Sequence, residues 1–163
     1  GVQERGCLAL AILACSDEIQ MSIEEGGVNA LEIVVSSMTA HPKVAEVQEE
    51  GCLALANFAD ENPSNQVSIM QLRGIHAIVE AMSNHPKSAG IQEDACKALA
   101  NLAWCNSPGQ LGIAREGGLE LIASVLRDSR NEAGPQEEAK TAVKALVMNC
   151  PSNLAAFRDL GVL

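Results

Sequence analysis

Apolar and polar positions recur at helical spacing along the chain, in short blocks separated by Gly and Pro. In segment 45–59, AEVQEEGCLALANFA, the residues Gly51, Cys52, Leu55, Phe58 and Ala59 fall at i, i+1, i+4, i+7 and i+8, the stripe of an amphipathic helix. Glu49, Leu53, Asn57 and Asp60 fall on the other side. Between 63 and 103 the same reasoning gives three helices. Pro63-Ser64-Asn65 supplies a start, with Ser64 or Asn65 capping free N–H groups, and Gln66–Leu72 follows as a short helix. Gly74 breaks it. Ile75–Ser83 is a second helix, with Ile75, Ile78, Val79 and Met82 on one stripe. Asn84-His85-Pro86 ends that helix, because Pro disfavours the α conformation in the residue before it. Ser88–Ala103 is the third and longest.

The pattern repeats. Val2–Ala14, Val47–Ala59, Ile91–Ala103 and Pro135–Val147 read VQERGCLALAILA, VQEEGCLALANFA, IQEDACKALANLA and PQEEAKTAVKALV, at offsets of 45, 44 and 44. Other landmarks keep the same time: Gly26-Gly27-Val28, Arg73-Gly74-Ile75, Gly117-Gly118-Leu119 and Leu160-Gly161-Val162, and the loops His41-Pro42 and His85-Pro86. In-phase copies of about three helices each predict about eleven helices and no strands. Stacking would align Leu10, Leu55, Leu99 and Val143 in one core ladder, and Leu13, Phe58, Leu102 and Leu146 in another. No unit buries its apolar face alone, so stacking supplies the core.

The period near 44, the short–medium–long helix order and the in-phase strings ALANFA and ALANLA resemble the armadillo repeat over nearly the whole chain. The resemblance implies an all-α fold, a right-handed α-solenoid of stacked three-helix armadillo-like repeats. It would form one domain, 1–163, with a partial repeat at 1–14, repeats at about 17–59, 63–103 and 107–147, and a partial repeat at 151–163. In that family the third helices line a concave groove that takes an extended or helical segment of a partner. Peptide-binding members carry an Asn near the end of the third helix for the peptide backbone, and a Trp one turn earlier for its side chains. The Asn position holds Ile12, Asn57, Asn101 and Ala145 here, and the Trp position holds Leu8, Leu53, Lys97 and Thr141. Half of an Asn ladder is kept and the Trp ladder is absent.

The resemblance therefore implies a protein-interaction scaffold, with partner contacts at Leu8, Ile12, Glu49, Leu53, Asn57, Glu93, Lys97, Asn101 and Trp104. Asn57 and Asn101 would bond backbone groups, Leu53, Ile12 and Trp104 would meet apolar side chains, and Glu49 and Glu93 would meet Lys or Arg. Each has a plainer reading. The asparagines would brace the loop after their helix, and Trp104 would pack under the next loop. Glu4, Glu49, Glu93 and Glu137 would only offset helix dipoles, worth about 0.3–1 kcal/mol apiece. The alternatives to the scaffold are a structural spacer in a longer solenoid and an importin-like carrier of basic peptides.

Composition narrows the partner. The chain has 163 residues, 21 acidic against 11 basic, for a net charge of −10, and 2% aromatics. A phosphate-backbone binder needs a basic face and a single-strand binder needs stacking rings, so nucleic acid is not expected. No apolar run approaches 18 residues, which gives no reason to expect a membrane span. The six cysteines show no metal or disulfide spacing; Cys7, Cys52 and Cys96 share one core position. A reduced intracellular compartment, cytoplasmic or nuclear, is expected, with no cofactor and no metal. His41 and His85 are turn residues, and no nucleophile, base and orienter assemble, so no enzyme is expected. The array is expected to continue past Gly1 and Leu163. Apolar residues at its ends, among them Leu154, Phe157, Leu160 and Val162, would then favour end-to-end self-association of this stretch.

Overall fold

The computed structural model describes residues 30–128 and 133–163. Among them are nine helices and no strand: α1 (Ala30–Ala40), α2 (Ala45–Ala59), α3 (Pro63–Gln71), α4 (Gly74–Asn84), α5 (Ala89–Ala103), α6 (Ser107–Arg115), α7 (Gly118–Arg127), α8 (Ala133–Val147) and α9 (Pro151–Asp159). Short, medium and long helices follow one another as α3–α4–α5 and again as α6–α7–α8. The long helices α2, α5 and α8 form one layer, with α5 packed against both neighbours. This is an all-α solenoid. Leu8, Ile12 and the partial repeat at 1–14 lie outside the described residues.

The ladders expected from the pattern form the core. Leu55, Leu99 and Val143 are buried, and so are Phe58, Leu102 and Leu146. Cys52 and Cys96 sit in the same core, and burial pushes the Cys96 thiol up to about 12. Small residues permit the close approach of the layer; Ala54, Ala98 and Ala142 are all fully buried. The backbone turns recur with the period. Glu61, Cys105 and Asn149 have φ of +47°, +51° and +55°, and Arg73, Gly117 and Gly161 have +63°, +84° and +72°. The first set follows the three long helices; Arg73 and Gly117 precede the medium helices α4 and α7, and Gly161 follows the short helix α9.

Three details differ from the sequence pattern. The short helices begin earlier than expected. Pro63 and Pro108 occupy the first helical turn, so the cap falls to the residue before that turn. Asn62 Oδ1 accepts from the Asn65 N–H at 3.0 Å, and Asn106 Oδ1 accepts from the Gly109 N–H at 3.2 Å. Asn65 serves elsewhere: its Nδ2 donates to the Phe58 carbonyl at 2.9 Å, satisfying an orphan acceptor at the end of α2. At the C-terminal end Phe157 is fully buried rather than part of an apolar surface, while Leu163 is exposed.

Buried glutamines fasten the units. Gln48 Nε2 donates to the carbonyls of Met38 and His41, both at 2.9 Å, closing the end of α1. Gln92, 44 residues later, does the same for Met82 and His85 at 3.0 and 3.1 Å. Gln66 Nε2 donates to Ala59 and, across to the next long helix, to the Asn101 carbonyl at 3.2 Å. Gln110 reaches the Ala145 and Met148 carbonyls, both at 2.9 Å. An unpaired buried carbonyl costs about 1–3 kcal/mol, so these amides have a structural task in every unit.

Candidate partner-binding face

The outward side of the α2–α5–α8 layer carries the residues that the pattern singled out. Glu49 is exposed and Leu53 and Asn57 are half-buried on α2; Glu93, Lys97 and Asn101 are half-buried on α5. Trp104, the residue after α5, is 53% exposed, which leaves most of its ring available to a partner.

Asn101 reaches sideways. Its Nδ2 donates to the Ala56 carbonyl of α2 at 2.9 Å, and its own carbonyl accepts from Gln66. It thus braces the neighbouring unit, one amide hydrogen being committed to Ala56 while Oδ1 and the second amide hydrogen have no hydrogen-bond partner among the described residues. The brace differs from the loop-bracing role weighed from sequence, because the acceptor lies one repeat back.

The acidic row is an inter-repeat structure. The Glu49 carboxylate lies against Gly90, the second residue of α5, so closely that a Cβ there would overlap its oxygens. Glu93 stands in the same relation to Gly134, the second residue of α8. Each carboxylate therefore sits by the N-terminal turn of the next long helix, where the helix dipole favours an anion. Glycine at these two positions is what makes room.

Carboxylates crowd most at the α2–α5 joint. Asp94 is pushed up to about 7, first by burial and then by Glu49 and Glu93, with Lys97 opposing and Glu50 adding a smaller push. Glu50 is also raised, by burial and by Glu49, and its Oε2 is buried without a hydrogen-bond partner. On the exposed side of α8 a carboxylate is paired within its own helix. Lys140 Nζ donates to Glu137 Oε1 at 2.6 Å and, with Lys144, holds the Glu137 carboxyl below its usual range. Among the described residues no three His, Cys, Asp or Glu are grouped to hold a metal ion. His85 instead bonds the Pro42 carbonyl at 3.0 Å, linking successive loops.

Sequence reasoning missed the buried glutamines. Their signal was present, since Gln48, Gln92 and Gln136 recur in phase beside the glutamates that drew attention. It also missed Gly90 and Gly134 as seats for Glu49 and Glu93.

No protein-family model matches the chain, and no curated protein matches it. Solved structures do. One engineered protein superposes with a TM-score of 0.86 at 24% identity, over 99% of this chain and 64% of its own. A computationally designed armadillo repeat protein for modular peptide recognition gives 0.81 at 19% identity, over 96% of this chain and 63% of its own. A designed armadillo repeat protein in complex with the peptide (KR)4 gives 0.70 at 22% identity, over 85% of this chain and 55% of its own. The chain spans less than two thirds of each of them. The fold is an armadillo-like repeat solenoid, and two of these structures are designed armadillo repeat proteins.

Proposed function

We propose that this solenoid is a protein-interaction scaffold that holds an extended segment of a partner, bearing Lys or Arg, across the outer face of α2, α5 and α8. The observation that carries the reading is the acidity of the α2–α5 joint, where, among the described residues, Glu49, Glu50, Glu93 and Asp94 have Lys97 as the opposing cation. A cationic side chain arriving there gains from every carboxylate and relieves their mutual repulsion. Trp104 offers an exposed indole at the end of the same helix for an aliphatic or guanidinium group. Leu53 adds apolar contact, and Asn57 and the free amide capacity of Asn101 meet backbone groups. The likeness to a designed scaffold that binds (KR)4 supports a basic segment.

A binding role fits a face on which, among the described residues, no nucleophile and base are assembled. The acidic surface disfavours nucleic acid. Among the described residues no helix is long and apolar enough to cross a membrane. The brace from Asn101 to Ala56 favours a second reading, a structural spacer, for that residue at least. For this reason Asn101→Ala is a poor test of binding. The better pair is Trp104→Ala and Glu49→Gln/Glu93→Gln, in which no hydrogen bond to the fold is removed. Immobilised octapeptides of alternating Lys and Arg, or of alternating Glu and Ser, separate the readings. Retention on the first only, weakened in both variants, supports the scaffold. Equal retention on both, or on neither, favours the spacer.

A further inference from the structure

A cleft of about 290 Å³ opens between α3, α4 and α6, and two guanidiniums line it, those of Arg73 and Arg115. No residue of the cleft belongs to α2, α5 or α8, so it is separate from the face described above. Both arginines are exposed, and among the described residues neither side chain has an ion pair or a hydrogen bond. The one carboxylate of the cleft, Glu116, is taken by His76, whose Nδ1 lies 2.9 Å from Glu116 Oε2. Met70, Ile75 and Pro108 give the cleft an apolar side.

Arg73 is held there at a cost to the fold. Its φ of +63° is left-handed, which disfavours a residue with a Cβ, and one and two periods on the same turn is taken by Gly117 and Gly161. Arg73 is also the N-cap residue of α4, where a cation meets the positive end of the helix dipole, and it gives that helix no side-chain cap. No protein contact offsets either cost. An anion in the cleft would.

We propose that this cleft takes a carboxylate of a partner polypeptide, an Asp or Glu that stands next to an apolar residue. The two guanidiniums hold the carboxylate by charge-assisted hydrogen bonds, and the apolar neighbour lies on Met70 and Pro108. Two guanidiniums against the single carboxylate of Glu116 leave an excess of positive charge that suits a singly charged group. A doubly charged phosphate would set its second charge against Glu116. On a chain of net charge −10 the cleft is a local exception, so an anion is drawn to it and repelled elsewhere. The site is independent of the basic-segment reading.

The test is a nuclear magnetic resonance titration of the labelled protein at pH 8. The probes are the peptide Gly-Ser-Leu-Glu-Leu-Ser-Gly, blocked at both ends so that Glu is its only charge, the same peptide with Gln for Glu, and inorganic phosphate. The Glu peptide should shift the amides of Arg73, Gly74, His76, Gly112 and Arg115, saturating together, and the Gln peptide should bind at least about tenfold more weakly. Arg115→Gln should weaken the Glu peptide by a similar factor. Arg73→Gly supplies the residue that the left-handed turn prefers, so its thermal midpoint should equal or exceed that of the wild type while binding falls at least about tenfold. An arginine kept for the fold alone could not give that pair of results. Equal binding of the Glu and Gln peptides overturns the proposal, as does a response to phosphate with none to the Glu peptide. A lower midpoint in Arg73→Gly, or undiminished binding in both variants, overturns it as well.

Discussion

The α2–α5 and α5–α8 joints are built on one backbone plan and differ in how their charge is handled. Both seat a glutamate of one long helix against a glycine at the start of the next, Glu49 on Gly90 and Glu93 on Gly134. Both accept a glutamine from a short helix, Gln66 at Asn101 and Gln110 at Ala145. The first joint adds the Asn101 brace to Ala56; at the second that position is Ala145, which has no side-chain donor. The first joint leaves Asp94 and Glu50 raised, whereas the exposed Glu137 of α8 pairs with Lys140 of its own helix at 2.6 Å. Inward positions and rungs thus keep the repeat stacked, while outward positions vary freely enough to give neighbouring joints different chemistry. The first joint holds excess negative charge and a stronger mechanical tie. The second also carries carboxylates, Glu93 against Gly134 and Glu138 near Cys96.

Removing a shared rung should cost most. Gln92 is 4% exposed and closes the end of α4 with two bonds, so Gln92→Ala should destabilise by about 1–3 kcal/mol, read as a lower urea midpoint. A loss well under that would mean that water replaces the amide. Removing the rung unique to the first joint should cost less. Asn101→Ala makes that joint like the second, and the loss of one part-buried hydrogen bond should lower stability by about 1 kcal/mol. If the variant is as stable as the wild type, the brace is not a structural tie and the asparagine is free for a ligand. The smallest effect is expected at Gly90. A methyl group there displaces only the flexible end of Glu49, and alanine favours a helix over glycine by up to about 1 kcal/mol. Gly90→Ala should therefore be neutral to slightly stabilising at pH 8. Asp94, with Glu49 swung away, should titrate at lower pH, as followed by the carboxyl carbon resonance. A marked loss of stability would show that the seated carboxylate holds the joint together.

The stacked fold was legible because the same apolar stripe recurs in phase, and a stripe that no single unit can bury has few other solutions. Gly51, Cys52, Leu55, Phe58 and Ala59 were assigned inward from spacing alone, and all five are buried. What spacing cannot supply is the lateral offset between neighbouring helices. Asn57 and Asn101 were placed on the outward side, yet nothing in one helix says that the Asn101 amide reaches Ala56 on the next. The same limit hid the seating of Glu49 on Gly90, which joins residues 41 apart. The acidic row itself was legible, but its unequal compensation was not. That depends on burial at Asp94 and on which lysine, Lys97 or Lys140, comes within reach of which carboxylate. The misassigned caps have a local cause: with Pro63 in the first turn, Asn62 must be the cap, and reading Ser64 or Asn65 instead shifts the helix start.

The comparison of joints stands or falls on where a basic segment lands. The direct measurement is residue-resolved nuclear magnetic resonance titration of the uniformly labelled protein with an octapeptide of alternating Lys and Arg at pH 8 and low salt. The largest shifts are expected at the amides and side chains of Glu49, Leu53, Glu93, Asp94 and Asn101 and at the Trp104 indole, saturating together and fading as salt rises. Shifts centred on Glu137, Lys140 and Lys144, or spread over α4 and α7 with the α2–α5 joint unmoved, would contradict the account.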